Sequence, residues 1–388
     1  MKWAGSNSKL NPVLFLAHTD VVPAQANNTQ KWVYPPFSGT IAKGYIWGRG
    51  SLDNKVGVLG QLEAINQLLA QKFQPERTLY FAFGHDEESG GKLGAMAIAN
   101  HFRKQNIRFE FLVDEGMMIT KNLVPNIPHR VALIGPGEKG YLSLKLSVDS
   151  QGGHSSKPPM LTASGRIARA VDKVQSEPFK INLKYSAEFI RHLGDDAPML
   201  QRMVMANPWL FQPVASSLVP QVPELLATLR TTTAPTILKG STKDNVLATE
   251  ASAVINFRIL PSDSIDFVIN ETRRKINDPE VTIQVYGTPS EPSKISSTQA
   301  SGFQIIRQSI LEVINEEPIT IAPMLVIAAT DARHYQNLTE QSYRFSPYTI
   351  TPETKDGFHG INERISVESY IEAVHIYQQL IINSSLPF

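Results

Sequence analysis

The chain has 388 residues, with 37 Lys and Arg against 36 Asp and Glu and a formal net charge of +1. That balance argues against a dedicated nucleic-acid binder, which carries a basic stripe, and the length allows two domains with a sizeable core. Cysteine is absent, which excludes disulfide scaffolds, thiolate zinc sites and cysteine nucleophiles. Any metal site must therefore use His, Asp and Glu. The longest apolar runs, 13–17 and 325–329, are far too short to span a bilayer. The N-terminal residues hold no apolar signal core, so the expectation is a soluble chain, cytoplasmic by default, with no membrane partner.

In chain order, the apolar run 13–16 reads as a buried strand ending at His18-Thr19-Asp20. Residues 41–47, with Gly44 inside, suggest a hairpin. Apolar residues at helical spacing predict a helix over 55–69. A strand at 78–83 ends at Gly84-His85-Asp86-Glu87-Glu88, a helix follows at 93–102, and a strand at 109–113 ends at Asp114-Glu115-Gly116. Strands alternating with helices imply a mostly parallel α/β sheet. His18, Glu87/Glu88 and Asp114 each follow the carboxyl end of a predicted strand, the edge where open α/β sheets bind ligands.

The middle of the chain reads differently. Residues 141–148 alternate apolar and polar, as in a half-exposed antiparallel strand. A helix at 163–174 follows, then an irregular, proline-containing stretch over 178–235. Strands at 236–240 and 253–260, a helix at 262–276 and a strand at 281–286 complete a β-α-β-β-α-β order, which suggests a split βαβ sandwich. Past a Pro/Ser linker at 287–297 the reading returns to helix (302–315), strand (323–328) and helix (366–380). The chain is expected to leave a first domain, build a second and come back.

Six groups stand out: His18, Asp20, Asp53, Glu87, Glu88 and Asp114, joined by His359 near the C-terminus. Singly, each is better read as a cap or a surface residue. Together, carboxylates converging on one sheet edge repel one another unless a cation neutralises them, and N/O donors suit zinc and harder divalent ions. In His18-x-Asp20 the two side chains share a face of an extended segment, so the carboxylate can fix the imidazole tautomer. Adjacent Glu87 and Glu88 point apart, so one can face metal and the other water. The glycine-rich turn 48–55 lacks phosphate-loop spacing.

These strings resemble the M20 metallopeptidase family. Leu16-Ala-His18-Thr-Asp20-Val-Val-Pro23, Trp32-x-x-Pro35-Pro36-Phe37-Ser38-Gly39, Gly48-Arg-Gly-Ser-Leu-Asp53-Asn-Lys55, Asp86-Glu-Glu-Ser-Gly-Gly91, Gly152-Gly-His154-Ser155-Ser156 and Gly357-Phe-His359-Gly-Ile-Asn362-Glu363 run in family order. The branch most similar is that of carboxypeptidase S and the N-acyl-amino-acid hydrolases.

The resemblance implies a three-layer α/β zinc-peptidase catalytic domain, residues 1–138 and 291–388, with an inserted ferredoxin-like lid and dimerisation domain, 139–290. It implies two Zn2+ per chain: Asp53 bridging, His18 and Asp114 completing one site, Glu88 and His359 the other. Glu87 would be the general base, Asp20 would orient His18, and His154 would stabilise the oxyanion, in many members across a homodimer interface. Asn245, Arg258 and Arg333 would grip the substrate, an arginine fork suiting a carboxylate. The substrate would be a small peptide or N-acyl amino acid with a free carboxylate. A non-catalytic scaffold is the alternative, against which the full ligand set and Glu87 argue. Seventeen residues precede His18, where the resemblance implies a further helix and strand, so the chain is expected to lack them.

Overall fold

The computed structural model describes residues 1–24, 31–124, 127–194 and 223–387. Two sheets organise them. The first has seven strands, running Lys2–Trp3, Leu79–Gly84, Val13–His18, Leu112–Thr120, Arg130–Ile134 and Ile319–Pro323, with Ser342–Ile350 also paired to Leu112–Thr120. Val13–His18 lies parallel to both of its neighbours, in register Leu14↔Tyr80 and Leu14↔Leu112. All six of its residues are buried. A strand sandwiched between helical layers buries both faces and so reads as one continuous apolar run.

Helices cover both faces of this sheet. Lys55–Ala70, Ser301–Val313 and Val367–Ser385 enclose one core with Phe15, Phe81, Phe111 and Tyr343. Ala95–Lys104 and the short turn Asp331–Tyr335 close the other, around Leu14, Leu16, Phe102 and Tyr335. This is the expected three-layer arrangement.

Between Arg130–Ile134 and Ile319–Pro323 the chain builds its second sheet. Four strands run in the order Thr232–Lys239, Glu250–Ile259, Gly140–Asp149, Thr282–Val285, all antiparallel. Helices Ala163–Ser176 and Ile265–Ile276 pack on one face over Leu142, Leu144, Leu146, Ile255 and Phe257. The split βαβ order is the expected one. Of the irregular stretch 178–235, residues 195–222 lie outside those described; Ala187–Gly194 and Pro223–Leu229 are helical.

Several elements depart from expectation, among them the strands Lys2–Trp3 and the fully buried Arg130–Ile134, where none is expected. The strand placed at 109–113 is Leu112–Thr120, so it runs through Asp114 and Glu115 rather than ending before them. The strand placed at 323–328 is Ile319–Pro323, with Val326 left in an isolated bridge to Glu138. The nine-residue strand Ser342–Ile350, among the most buried of all, carries Arg344, Ser346 and Pro347 and gives no apolar run to detect.

Candidate active site

The parallel strands deliver His18 at the carboxyl end of Val13–His18 and Glu87 and Glu88 on the turn Glu87–Ser89 just past Leu79–Gly84. Asp53 comes from the loop leading into helix Lys55–Ala70, and His359 from the loop after Lys355–Gly357. His18 is buried, and its Nε2 lies 3.0 Å from Asp53 Oδ1 and 3.1 Å from Glu115 Oε1. Asp53 Oδ2 lies 3.2 Å from His359 Nε2, which is also 3.4 Å from Glu88 Oε1. One carboxylate thus faces two imidazoles, one oxygen to each.

Asp20 serves both sides of this cluster. His18 donates through Nδ1 to the Asp20 carbonyl at 3.0 Å, with Asp20 Oδ1 at 3.3 Å. The Asp20 carboxylate meanwhile accepts from the backbone N–H groups of Glu87 (3.2 Å) and Glu88 (3.1 Å). The imidazole N–H is thus taken by the Asp20 backbone carbonyl rather than by the expected carboxylate, and the carboxylate fixes the turn that carries both glutamates.

Asp114 does not join the cluster; its neighbour Glu115 does. Side chains alternate across a strand, and because Leu112–Thr120 continues through both residues only one can face His18. Asp114 turns the other way, accepting from Ala332 N–H at 2.6 Å and Glu115 N–H at 2.9 Å. Sequence reasoning also missed Asn54. Its Oδ1 caps helix Lys55–Ala70 by accepting from Gly57 N–H (3.1 Å), and its Nδ2 donates to Glu115 Oε2 at 2.6 Å. An asparagine directly before an apolar-periodic helix is a capping signal; its second contact is visible only in three dimensions. The Asp53–Asn54 peptide bond is cis.

The remaining expected site residues gather in two places. His154 and Asn245 meet on a small ribbon, Gly153–His154 paired with Val246–Leu247, where Ser155 N–H donates to the Asn245 carbonyl at 3.2 Å. His154 is exposed, and its Nδ1 accepts from Ser156 N–H at 3.1 Å. Arg258 lies on Glu250–Ile259 with its guanidinium 4.9 Å from the Tyr141 ring centre. Burial pulls this guanidinium below its usual range, Tyr141 opposes that, and the charge of Arg333 adds to it. Arg333, on the turn Asp331–Tyr335, also acts on Glu87. The Arg333 charge is thus felt by both Arg258 and Glu87.

The electrostatics show how much negative charge has been concentrated here. Burial, reinforced by the Glu115 charge, pushes the Glu87 carboxyl up to about 9. Burial and Asp53 push Glu115 up to about 8. Burial likewise raises Glu88. Burial opposes the imidazolium of His18, but hydrogen bonds to Asp53 and Glu115 outweigh it, and His18 is pushed up to about 12. Burial also opposes the Asp53 anion, and hydrogen bonds from His18 and His359 overcome it and hold Asp53 well below the usual carboxylate range.

A pH dependence follows. Glu87 and Glu115 keep protons in the fold that the unfolded chain gives up near 4.5, so the folded state binds more protons between about 4.5 and about 9. His18 acts in the same direction from 6.5 to about 12. Excess protons on the folded state mean that stability falls as pH rises. Chelator-treated protein should therefore lose Tm between about pH 5 and about pH 9, and the Tm gained on adding divalent metal should grow over that range as metal replaces protons. Thermal unfolding at several pH values, with and without chelator, checks this. A Tm that rises with pH under chelator contradicts it.

Residues 14–383 match the description of peptidase family M20/M25/M40. The chain belongs to this family. It is 40% identical over 384 residues to "Probable carboxypeptidase S-like 2" of Dictyostelium discoideum, covering 98% of this chain and 73% of that protein. It is 38% identical over 383 residues to the human "N-fatty-acyl-amino acid synthase/hydrolase PM20D1", covering 98% of this chain and 75% of that protein. Among solved structures, the M20 family metallo-carboxypeptidase Sso-CP2 from Sulfolobus solfataricus superposes with a TM-score of 0.73 at 17% identity, over 100% of this chain and 87% of that one, which shows the shared fold. As a member of the M20 family the protein is a metallohydrolase of peptide or amide bonds, in the carboxypeptidase and aminoacylase group. No described helix is long and apolar enough to cross a membrane.

Proposed function

We propose that this M20 hydrolase is dinuclear, uses zinc, and cleaves the amide bond of N-acyl amino acids or small peptides that end in a free carboxylate. The observation that carries the reading is the Asp53 carboxylate, with Oδ1 3.0 Å from His18 Nε2 and Oδ2 3.2 Å from His359 Nε2. The residues suit two borderline divalent cations. The donors are imidazole and carboxylate throughout, and Glu88 Oε1 is buried without a hydrogen-bond partner. His18 and Glu115 would hold one ion, Glu88 and His359 the other, and Asp53 both. Bound metal would supply positive charge that acidifies water and stabilises the developing oxyanion.

The other steps belong to this chain. Asp20 fixes the His18 tautomer and the turn bearing Glu87. Glu87 takes the proton of the attacking water and returns it to the leaving nitrogen. Its carboxyl is raised by burial to about 9, and nearby positive charge lowers it toward the neutral range where a shuttling base works best. Arg258 and Arg333 hold the substrate carboxylate. Residues 139–290 act as the lid and dimer face, presenting His154 and Asn245, with residues 1–138 and 291–388 as the catalytic domain.

The names of both curated relatives point to amino-acid substrates: carboxypeptidase S-like, and N-fatty-acyl-amino acid synthase/hydrolase. The charges of Arg258 and Arg333 support a free carboxylate beside the cleaved amide. A panel of N-acyl amino acids and their methyl esters tests this. The free acids should be cleaved, with the esters and Arg258→Ala each losing about 10- to 100-fold in kcat/KM, the worth of a charge-assisted contact. Equal rates on acids and esters would rule out carboxylate recognition.

A further inference from the structure

Beyond the ligands, one buried ion pair joins the two loops that supply Asp53 and His359. Glu363 is fully buried. Its Oε2 accepts from Arg49 Nη1 at 2.6 Å and from Gly50 N–H at 3.0 Å, and its Oε1 from Leu52 N–H at 2.8 Å and Asp53 N–H at 3.2 Å. Four donors use the full capacity of a carboxylate. Arg49 in turn donates through Nη2 to the carbonyl of Gly360 at 2.7 Å, next to His359. The Arg49 guanidinium sits 5.4 Å from the Trp32 ring centre, and its backbone N–H reaches the Pro36 carbonyl at 2.7 Å. Gly48 N–H closes the loop onto the Glu363 carbonyl at 3.0 Å.

The two loops differ in how much else holds them. Asp53 leads into a capped sixteen-residue helix. The His359 side chain is 56% exposed, and its backbone takes φ +53°, a left-handed conformation that a non-glycine residue adopts only when its surroundings impose it. On the N-terminal side of His359, Phe358 packs against Tyr348 with ring centres 6.4 Å apart; on its C-terminal side the loop is held by polar anchors. The Gly360 carbonyl on Arg49 is one, and Val33 N–H on Asn362 Oδ1 at 2.7 Å is another.

We propose that Glu363, acting through Arg49, is a positioning residue of the metal centre: it sets the distance between the Asp53 carboxylate and the His359 imidazole, and so the affinity of the ion they share. This rests on the dinuclear reading above. A buried pair of this kind adds little net stability compared with an apolar replacement, since desolvation offsets the attraction. What it contributes here is geometry, in that one carboxylate fixes the Asp53 amide directly and the neighbour of His359 through one guanidinium. Groups that orient ligands from behind tune metal affinity by about 10- to 100-fold.

The test is a titration of metal-free full-length chain with Co2+ alone, followed by visible absorption, which reports ligand geometry as well as affinity. Glu363→Gln should bind Co2+ about 10- to 100-fold more weakly with an altered spectrum. The core variant Ile381→Ala, buried near the C-terminal end of helix Val367–Ser385 and remote in sequence from the metal ligands, lowers Tm and should keep wild-type affinity and spectrum. Should Glu363→Gln fail to fold, Glu363→Asp, which keeps the charge but shortens the reach, is titrated in its place with the same expectation. Wild-type affinity and spectrum in the Glu363 variant overturn the positioning role, as does equal weakening in Ile381→Ala. A wild-type chain that binds no Co2+ overturns the dinuclear reading itself, an outcome distinct from either.

Discussion

Glu87→Ala is expected to keep its metal and lose turnover by about 10^2- to 10^4-fold, the range general-base catalysis supplies. Glu87 sits on the turn that Asp20 pins by its backbone, so truncating the side chain leaves Glu88, Asp53 and His18 in place. Its carboxyl is raised by burial and by Glu115, and His18 opposes that rise. That is the environment of a group whose proton affinity shifts with local charge. Steady-state rates and metal content are measured on the same sample. Retained activity would remove Glu87 as the base. Loss of metal together with activity would make it a ligand, a role its proximity to His18 and Glu115 makes geometrically open.

Asp53→Ala is expected to have the broadest effect, with both ions lost and activity gone. Its two oxygens separate His18 from His359, and no other carboxylate contacts both imidazoles among the described residues. Without it His18 retains Glu115 and His359 retains Glu88, each a partial set. The fold should persist, because Glu363 binds the loop through backbone N–H groups that alanine keeps. Metal content and circular dichroism measured together check this; one ion retained per chain would show that Asp53 serves a single site.

Much of this architecture is legible in the sequence where burial imposes a pattern. Val13–His18 and Leu79–Gly84 are buried between layers and read as apolar runs; Lys55–Ala70 is a helix as its apolar spacing predicts, but it packs through Val56, Gly57, Gly60, Gln61, Ala64 and Leu68 while Leu59, Leu62 and Leu69 are exposed. The alternation in Gly140–Asp149 marks a sheet covered on one side only. Legibility fails where polar groups take over burial. Arg344 is fully buried in Ser342–Ile350, donating to the Ser342 carbonyl at 2.8 Å with Glu138 3.4 Å away, so that strand carries no apolar signature. The exchange of Asp114 for Glu115 has a related cause. The apolar run stops at Val113 while the hydrogen-bonded strand continues to Thr120, and strand parity then decides which acid faces His18. The roles of Asn54 and Glu363 depend on contacts 61 and about 310 residues away in sequence, which no local pattern encodes.

The central claim is a pair of ions held around Asp53, and the most direct test is elemental analysis of bound zinc per chain in purified, dialysed protein. The account predicts about two per chain, as bridged dinuclear centres hold. A folded protein that holds none would contradict it.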